Sequence, residues 1–340
     1  MGWLDKLLGA QQSDKAAADG EPVRQAGVAH GVAHGVESAG DQAPATGAEI
    51  DAAYFRWLAA ARPPRAPAPV ELRILDELAR LAQSPVAGAA LVPRVPEIIP
   101  QLMRSLQADD MNAAELSRLL SADMVLVAEV YREANRPAYL PRYHSGPPVN
   151  SMAAAIMLLG QNGMRMLLAR VAFRPIVSMQ GGRLAKRAAP LIWRQSEKSA
   201  LAASLLAPGL RANPFDAYLA GLMENVGLVV AFRLVDQLCP DGALPYSDQF
   251  VGGLFAQARV LSTRIAALWD FPPPVCEAIG AAGQSGAAPL AQALALGGRL
   301  ARLRMLVDAA ELDAGDAFVT GGLGEPALAV FEKLRDDEDS

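Results

Sequence analysis

The sequence predicts an all-α protein with a flexible N-terminal tail. Apolar residues recur at helical spacing from about residue 51 onward, segment boundaries carry cap and proline signals, and alternating strand-like runs with turn chemistry are missing. The chain has 340 residues, 52% of them hydrophobic, which supplies a large core and excludes wholesale disorder.

The opening MGWLDKLLGAQQ places Trp3, Leu4, Leu7 and Leu8 on one helical face, a segment too short to be stable alone. It has neither the layout of a secretory signal nor the Ser/Thr of a myristoylation motif. It reads as a docking segment for a membrane surface or a partner groove, or as a frayed end. Residues 13–48 are rich in Gly, Ala, Gln and Asp and contain the tandem GVAHGVAHGVE at 27–37. His30 and His34 have the spacing of a helical metal pair, but the interleaved glycines oppose a helix and no third ligand is near. The segment is predicted to be a linker.

Beyond the tail, Tyr54, Trp57 and Leu58 make an apolar stripe, and ARPPRAPAP at 61–69 is a proline-rich connector. Val70, Ile74, Leu75, Leu78 and Leu81 predict a helix over 70–83. Pro93, Pro96 and Pro100 mark the start of a further helix, and Asn112 with Glu115 forms a capping-box pattern opening 113–121. Asp123 caps MVLVAEVYREAN, and Asn135 stands where a left-handed helix terminus is tolerated. Ser151 opens MAAAIMLLG and Asn162 precedes GMRMLLARVAF. Long helices follow at 184–207, 214–235, 248–269, 273–282 and 289–310, and GGLG at 321–324 reads as a turn before a short last helix. The expected organisation is a disordered tail over 1–48, a helical lead-in over 51–90, a helical domain over 91–310 and a C-terminal extension over 311–340.

Net charge is −5, which argues against a dedicated nucleic-acid binder. The acids concentrate at the two ends, in residues 1–50 and in Asp336, Asp337, Glu338 and Asp339. Between Glu133 and Glu197 there is no acid, while Arg136, Arg142, Arg165, Arg170, Arg174, Arg183, Lys186, Arg187 and Arg194 all occur. This stretch is either an anion-facing surface or a set of arginines on solvated helix faces. Cys239 and Cys276 form no CxxC and are too few for a disulfide framework, so a reducing, cytoplasmic setting is expected. No apolar run approaches the roughly 18 residues that span a bilayer. The histidines are His30, His34 and His144 only, and no GxSxG, GxGxxG, Walker-A or HExxH string occurs.

Seven segments in order resemble the HDOD family, bacterial output domains related in fold to HD-type metal phosphohydrolases. They are Leu91-Val-Pro-Arg-Val-Pro96, Ser121-Ala-Asp123, Ala134-Asn135-Arg-Pro-Ala-Tyr139, Ser151 through Ile156 to Gly160, Leu191-Ile-Trp193 with Ser196, Ala220 through Glu224 and Asn225 to Gly227, and Leu268-Trp269 with Phe271-Pro272. The resemblance implies an HD-like helical bundle with Trp193 and Trp269 in its core or lining its cleft, and Gly227 permitting close helix approach. It also implies a lost metal site. Glu224-Asn225 replaces the His-Asp doublet, Gln195 stands where a His often sits, Ala258 or Arg259 takes a further His position, and Gly280 to Gly283 fill the last. One imidazole and an amide pair do not assemble a metal-hydroxide site, so no catalytic residue, metal or cofactor is expected. Gln195, Glu224, Asn225 and Arg194 are the candidate residues of a vestigial cleft, with Glu224 pairing to Arg194 or Arg233 or joining a polar network.

Two functions follow. One is a non-catalytic bacterial signalling module that binds protein partners, with Trp3, Leu4, Leu7 and Leu8 as a docking tail. The other is a sensor holding a small anionic effector or nucleotide in the vestigial cleft.

Overall fold

The computed structural model describes residues 46–60, 68–83, 124–135, 148–149, 151–178, 182–240 and 244–335. The expectations for Trp3, Leu4, Leu7, Leu8, His30, His34, Asp123 and His144, for the prolines at 93 to 100 and for the Asn112 cap lie outside them. Every element among the described residues is helical, as the periodicity predicts.

Helix α1 (Gly47–Ala59) starts a few residues before the predicted onset because Thr46 and Glu49 close a capping box: Glu49 N donates to Thr46 Oγ1 at 3.3 Å and Thr46 N donates to Glu49 Oε2 at 2.7 Å. Tyr54, Phe55 and Leu58 are fully buried along its inner face. Helix α2 (Ala68–Gln83) buries Ile74 and Leu78 and is tied to the start of α8 (Asp248–Leu268) through Glu71, which accepts from Ser247 Oγ at 2.7 Å and Ser247 N at 3.2 Å. The lead-in helices therefore pack into the main core.

Helix α3 (Met124–Ala134) ends at Asn135, and the residue does something other than the left-handed turn expected of it. Its amide clamps backbone: Nδ2 donates to Tyr131 O at 2.7 Å and Val149 O at 2.9 Å, while Val149 N donates to Oδ1 at 2.7 Å. An Asn side chain carries the same donor and acceptor as a peptide group, so it pins the returning chain as a strand partner would. Helix α4 (Met152–Ser178) joins the two short helices predicted there, with a kink at Gly160, φ 63° and ψ −178°. Only glycine adopts that geometry without strain.

Helix α5 (Arg183–Leu206) is the central rod, packed by α10 (Pro289–Asp308) along one face and by α6 (Pro214–Met223) along another. Its first turn is capped from a distance. Asp236, on α7 (Val226–Leu238), accepts from Leu184 N and Ala185 N, both at 2.8 Å. This borrowed carboxylate supplies what Gly182 cannot, and it favours the positive end of the helix. Asn213 caps α6 through Phe215 N at 2.8 Å. Helix α9 (Pro273–Ala281) follows α8, and α11 (Ala317–Thr320) and α12 (Glu325–Lys333) close the chain. Phe331 and Val330 of α12 join Leu201, Leu300 and Leu303 in a second apolar cluster. Trp193 and Trp269 are buried, the latter stacked on Phe173 with centroids 6.3 Å apart.

The single helix expected over 214–235 is two helices, α6 and α7, divided at Glu224–Asn225. Residues 214–238 are the one stretch among the described residues long and apolar enough to cross a membrane, and 89% of its hydrophobic window is buried inside the protein. Periodicity continues across the break because both helices face the same core, so apolar spacing alone does not expose it.

Candidate functional site

The break between α6 and α7 builds the site. Asn225 leaves helical geometry at φ −105° and ψ 3°, which frees backbone groups on either side. One hydroxyl satisfies both: Ser262 Oγ of α8 donates to Glu224 O at 2.7 Å and accepts from Gly227 N at 2.9 Å. Gly227 allows that approach. A Cβ there would lie 2.0 Å from Ala258 O, so the two helices meet only because the side chain is missing.

The break turns Glu224 and Asn225 toward a buried polar face of α5. Ser199 Oγ donates to Glu224 Oε1 at 2.6 Å and Gln195 Nε2 donates to the same oxygen at 3.4 Å. Asn225 Nδ2 donates to Gln195 Oε1 and, at 3.1 Å, to Ser196 Oγ. Gln195 thus passes a hydrogen bond from amide to carboxylate, with both ends of its head group used. Burial pushes the Glu224 carboxyl above the usual carboxylate range, opposed by the charge of Arg302, the Ser199 hydrogen bond, Arg259 and Gln195.

Glu224 and Asn225 form one wall of a cavity of about 190 Å³. Asp51 of α1, Arg259 of α8, and Arg299 and Arg302 of α10 supply its other charged walls. Arg302 Nη1 lies 3.1 Å from Asp51 Oδ1, and its guanidinium sits over the Phe255 ring at 5.5 Å. Burial opposes the charge on Arg302, but Asp51 and Glu224 outweigh it and hold its pKa above the ordinary value. Arg299 Nη2 donates to Gly321 O at 3.4 Å. Gly298 keeps the flank of Glu224 open, since a Cβ there would stand 3.0 Å from Oε1.

Of the residues singled out in the sequence, Glu224 and Asn225 line the cavity and Gln195 lies immediately behind them. Arg194 is exposed on α5 and does not line it, and the charges acting on Glu224 are Arg302 and Arg259. The acid-free stretch does not supply the basic wall either. Arg165 is buried over the Phe215 ring at 4.3 Å, and Arg170 pairs with Glu133 at 2.8 Å. The residues that sequence reasoning passed over are Asp51, Ser199, Arg299 and Arg302. A signal existed for two of them: Gly298, Arg299 and Arg302 share one face of a predicted helix at three- and four-residue spacing.

The donor set does not fit a divalent cation. Such an ion in an HD-type site needs imidazoles and carboxylates converging on one point. Here three arginines line the space, one of the two carboxylates lies against an arginine, and the other is occupied by Ser199 and Gln195. Among the described residues no group of three or more His, Cys, Asp or Glu is placed to hold a metal.

The architecture is an HD-like all-α bundle with its cavity at the broken helix. A structure from Shewanella amazonensis SB2B, provisionally named a metal-dependent phosphohydrolase, superposes with TM-score 0.53 at 17% identity, covering 78% of this chain and 98% of that one. An HDOD domain protein of unknown function from Geobacter sulfurreducens gives TM-score 0.51 at 22% identity, covering 78% and 90%. A Marinobacter aquaeolei VT8 structure, provisionally named a signal transduction protein, gives 0.45 at 19% identity, covering 86% and 61%. No curated protein matches the chain. The HDOD domain family matches residues 92–285, and the chain belongs to that family.

Proposed function

We propose that this chain is a non-catalytic regulatory module of bacterial, cytoplasmic signal transduction that works by contact with protein partners. The observation that carries the reading is the cavity wall. Where an HD hydrolase gathers metal ligands, this chain places Arg259, Arg299 and Arg302 and locks Glu224 into a hydrogen-bonded network. A positive wall repels the cation that would activate water. What remains is a helical body and a 46-residue stretch before α1 whose apolar segment, Trp3 to Leu8, suits a partner groove.

The test has two arms on the full chain. Supplied in turn with Mn, Fe, Zn and Mg, the protein is expected to turn over neither phosphodiesters nor phosphomonoesters. Turnover that disappears in Glu224→Gln would overturn the reading. In the native host, the full chain is expected to retain a specific partner that a chain lacking residues 1–12 loses, with both melting at the same temperature. Equal retention removes the tail from the mechanism.

A further inference from the structure

We propose that the cavity between α1, α8 and α10 is a binding site for a phosphate group, held by Arg259, Arg299 and Arg302. The inference rests on the non-catalytic reading above and names a ligand for the same cavity. Three arginines line it with two acidic residues, Asp51 and Glu224. The two carboxylates are not equivalent opponents. Glu224 is already engaged, its Oε1 accepting from Ser199 Oγ at 2.6 Å and from Gln195 Nε2 at 3.4 Å. Asp51 is the resident counter-charge. Its contact with Arg302 is a charge contact and not a formed hydrogen bond, because Asp51 Oδ1 and Arg302 Nε are both buried without hydrogen-bond partners. A buried guanidinium N–H left unused is costly, and an oxyanion is the partner that fits its planar fork.

Size narrows the ligand. A volume of about 190 Å³ falls below the roughly 300 Å³ at which drug-sized sites begin. A phosphate group fits. A single carboxylate group is planar with two acceptor oxygens, whereas several forks match a tetrahedral group with more acceptor oxygens.

The experiment follows thermal stability of the full chain in inorganic phosphate, with sodium chloride at matched ionic strength as the reference. The wild-type melting temperature is expected to rise with the logarithm of phosphate concentration. Arg259→Gln and Arg299→Gln should weaken the apparent affinity by about tenfold or more. Asp51→Asn should strengthen it, on the order of threefold, because the resident competitor for Arg302 is gone. Phenyl phosphate run in parallel separates the sources: stabilisation by inorganic phosphate alone assigns the free ion, and stabilisation by both assigns a phosphomonoester head. No rise beyond the chloride reference, an unchanged response in Arg259→Gln and Arg299→Gln, or weaker binding in Asp51→Asn would each overturn the proposal. If Asp51→Asn fails to fold, the two arginine variants still decide. Absence of phosphate binding together with absence of turnover sinks this site and leaves the regulatory reading intact. Metal-dependent turnover sinks that reading itself.

Discussion

Two groups of arginine in this molecule, one buried and one half-buried, have opposite surroundings. Arg170 of α4 lies between Glu133 at 2.8 Å and Glu197 at 3.7 Å, so acids outnumber the base and the group joins α3, α4 and α5. In the cavity the ratio is reversed, with Arg259, Arg299 and Arg302 set against Asp51 and a Glu224 that is already hydrogen-bonded elsewhere. A charge buried for architecture brings its counter-charge with it. Arginines that outnumber the acids around an open cavity suit the anion proposed above. The contrast therefore predicts that mutating the first group costs stability, while mutating the second costs binding.

The largest effect is expected at Arg170. Arg170→Met should destabilise the protein by about 3 kcal/mol, because it strips the 2.8 Å partner from Glu133, whose side chain is only 4% exposed. Urea denaturation followed by circular dichroism reads this directly, and a loss under about 1 kcal/mol would erase the distinction between the two groups. Next comes the break that positions the cavity. Ser262→Ala removes the hydroxyl that pairs with both Glu224 O and Gly227 N, at an expected cost of about 2 kcal/mol. Gly227→Ala should cost about as much or more, since its Cβ would fall 2.0 Å from Ala258 O. Cavity substitutions sit at the other end. Arg259→Gln should change stability in chloride buffer by no more than about 0.5 kcal/mol while removing the phosphate response.

The same contrast explains what the sequence does and does not disclose. Helices were legible because each apolar stripe faces one continuous core: the predicted 248–269, 273–282 and 289–310 are found as Asp248–Leu268, Pro273–Ala281 and Pro289–Asp308. Glu224, Asn225 and Gln195 were legible because they occupy positions of a recognisable family segment, and they do meet. The helix break was not, since the residue that stabilises it, Ser262, lies far along the chain from Gly227 and has no local signature. The positive wall was misplaced for a related reason. Linear charge counting pointed to 134–196, but Arg170 there is neutralised by acids just outside that interval, while Asp51 and Arg302 meet only through folding. The clamp made by Asn135 is a third case, because its partner Val149 belongs to a segment that returns from elsewhere.

The smallest expected effect is also the most specific. Burial raises the pKa of Glu224 above the ordinary 4.5, and Arg302, Ser199, Arg259 and Gln195 only partly oppose it. A carboxyl whose folded-state pKa is raised binds a proton more readily in the native state than in the unfolded chain. Its contribution to stability is therefore fully present below the ordinary value and is lost as pH rises through the folded value. Glu224→Gln fixes the side chain in a neutral form. The variant should lose part of the slope with which wild-type stability falls as pH rises above about 4.5, a difference visible as converging melting temperatures at acid pH and diverging ones toward neutrality. Arg302→Gln should shift the same profile to higher pH by removing the cation that most opposes the shift. If the two profiles run parallel to wild type throughout, Glu224 is not the buried acid of this cavity, and the excess of positive charge there is smaller than the geometry indicates.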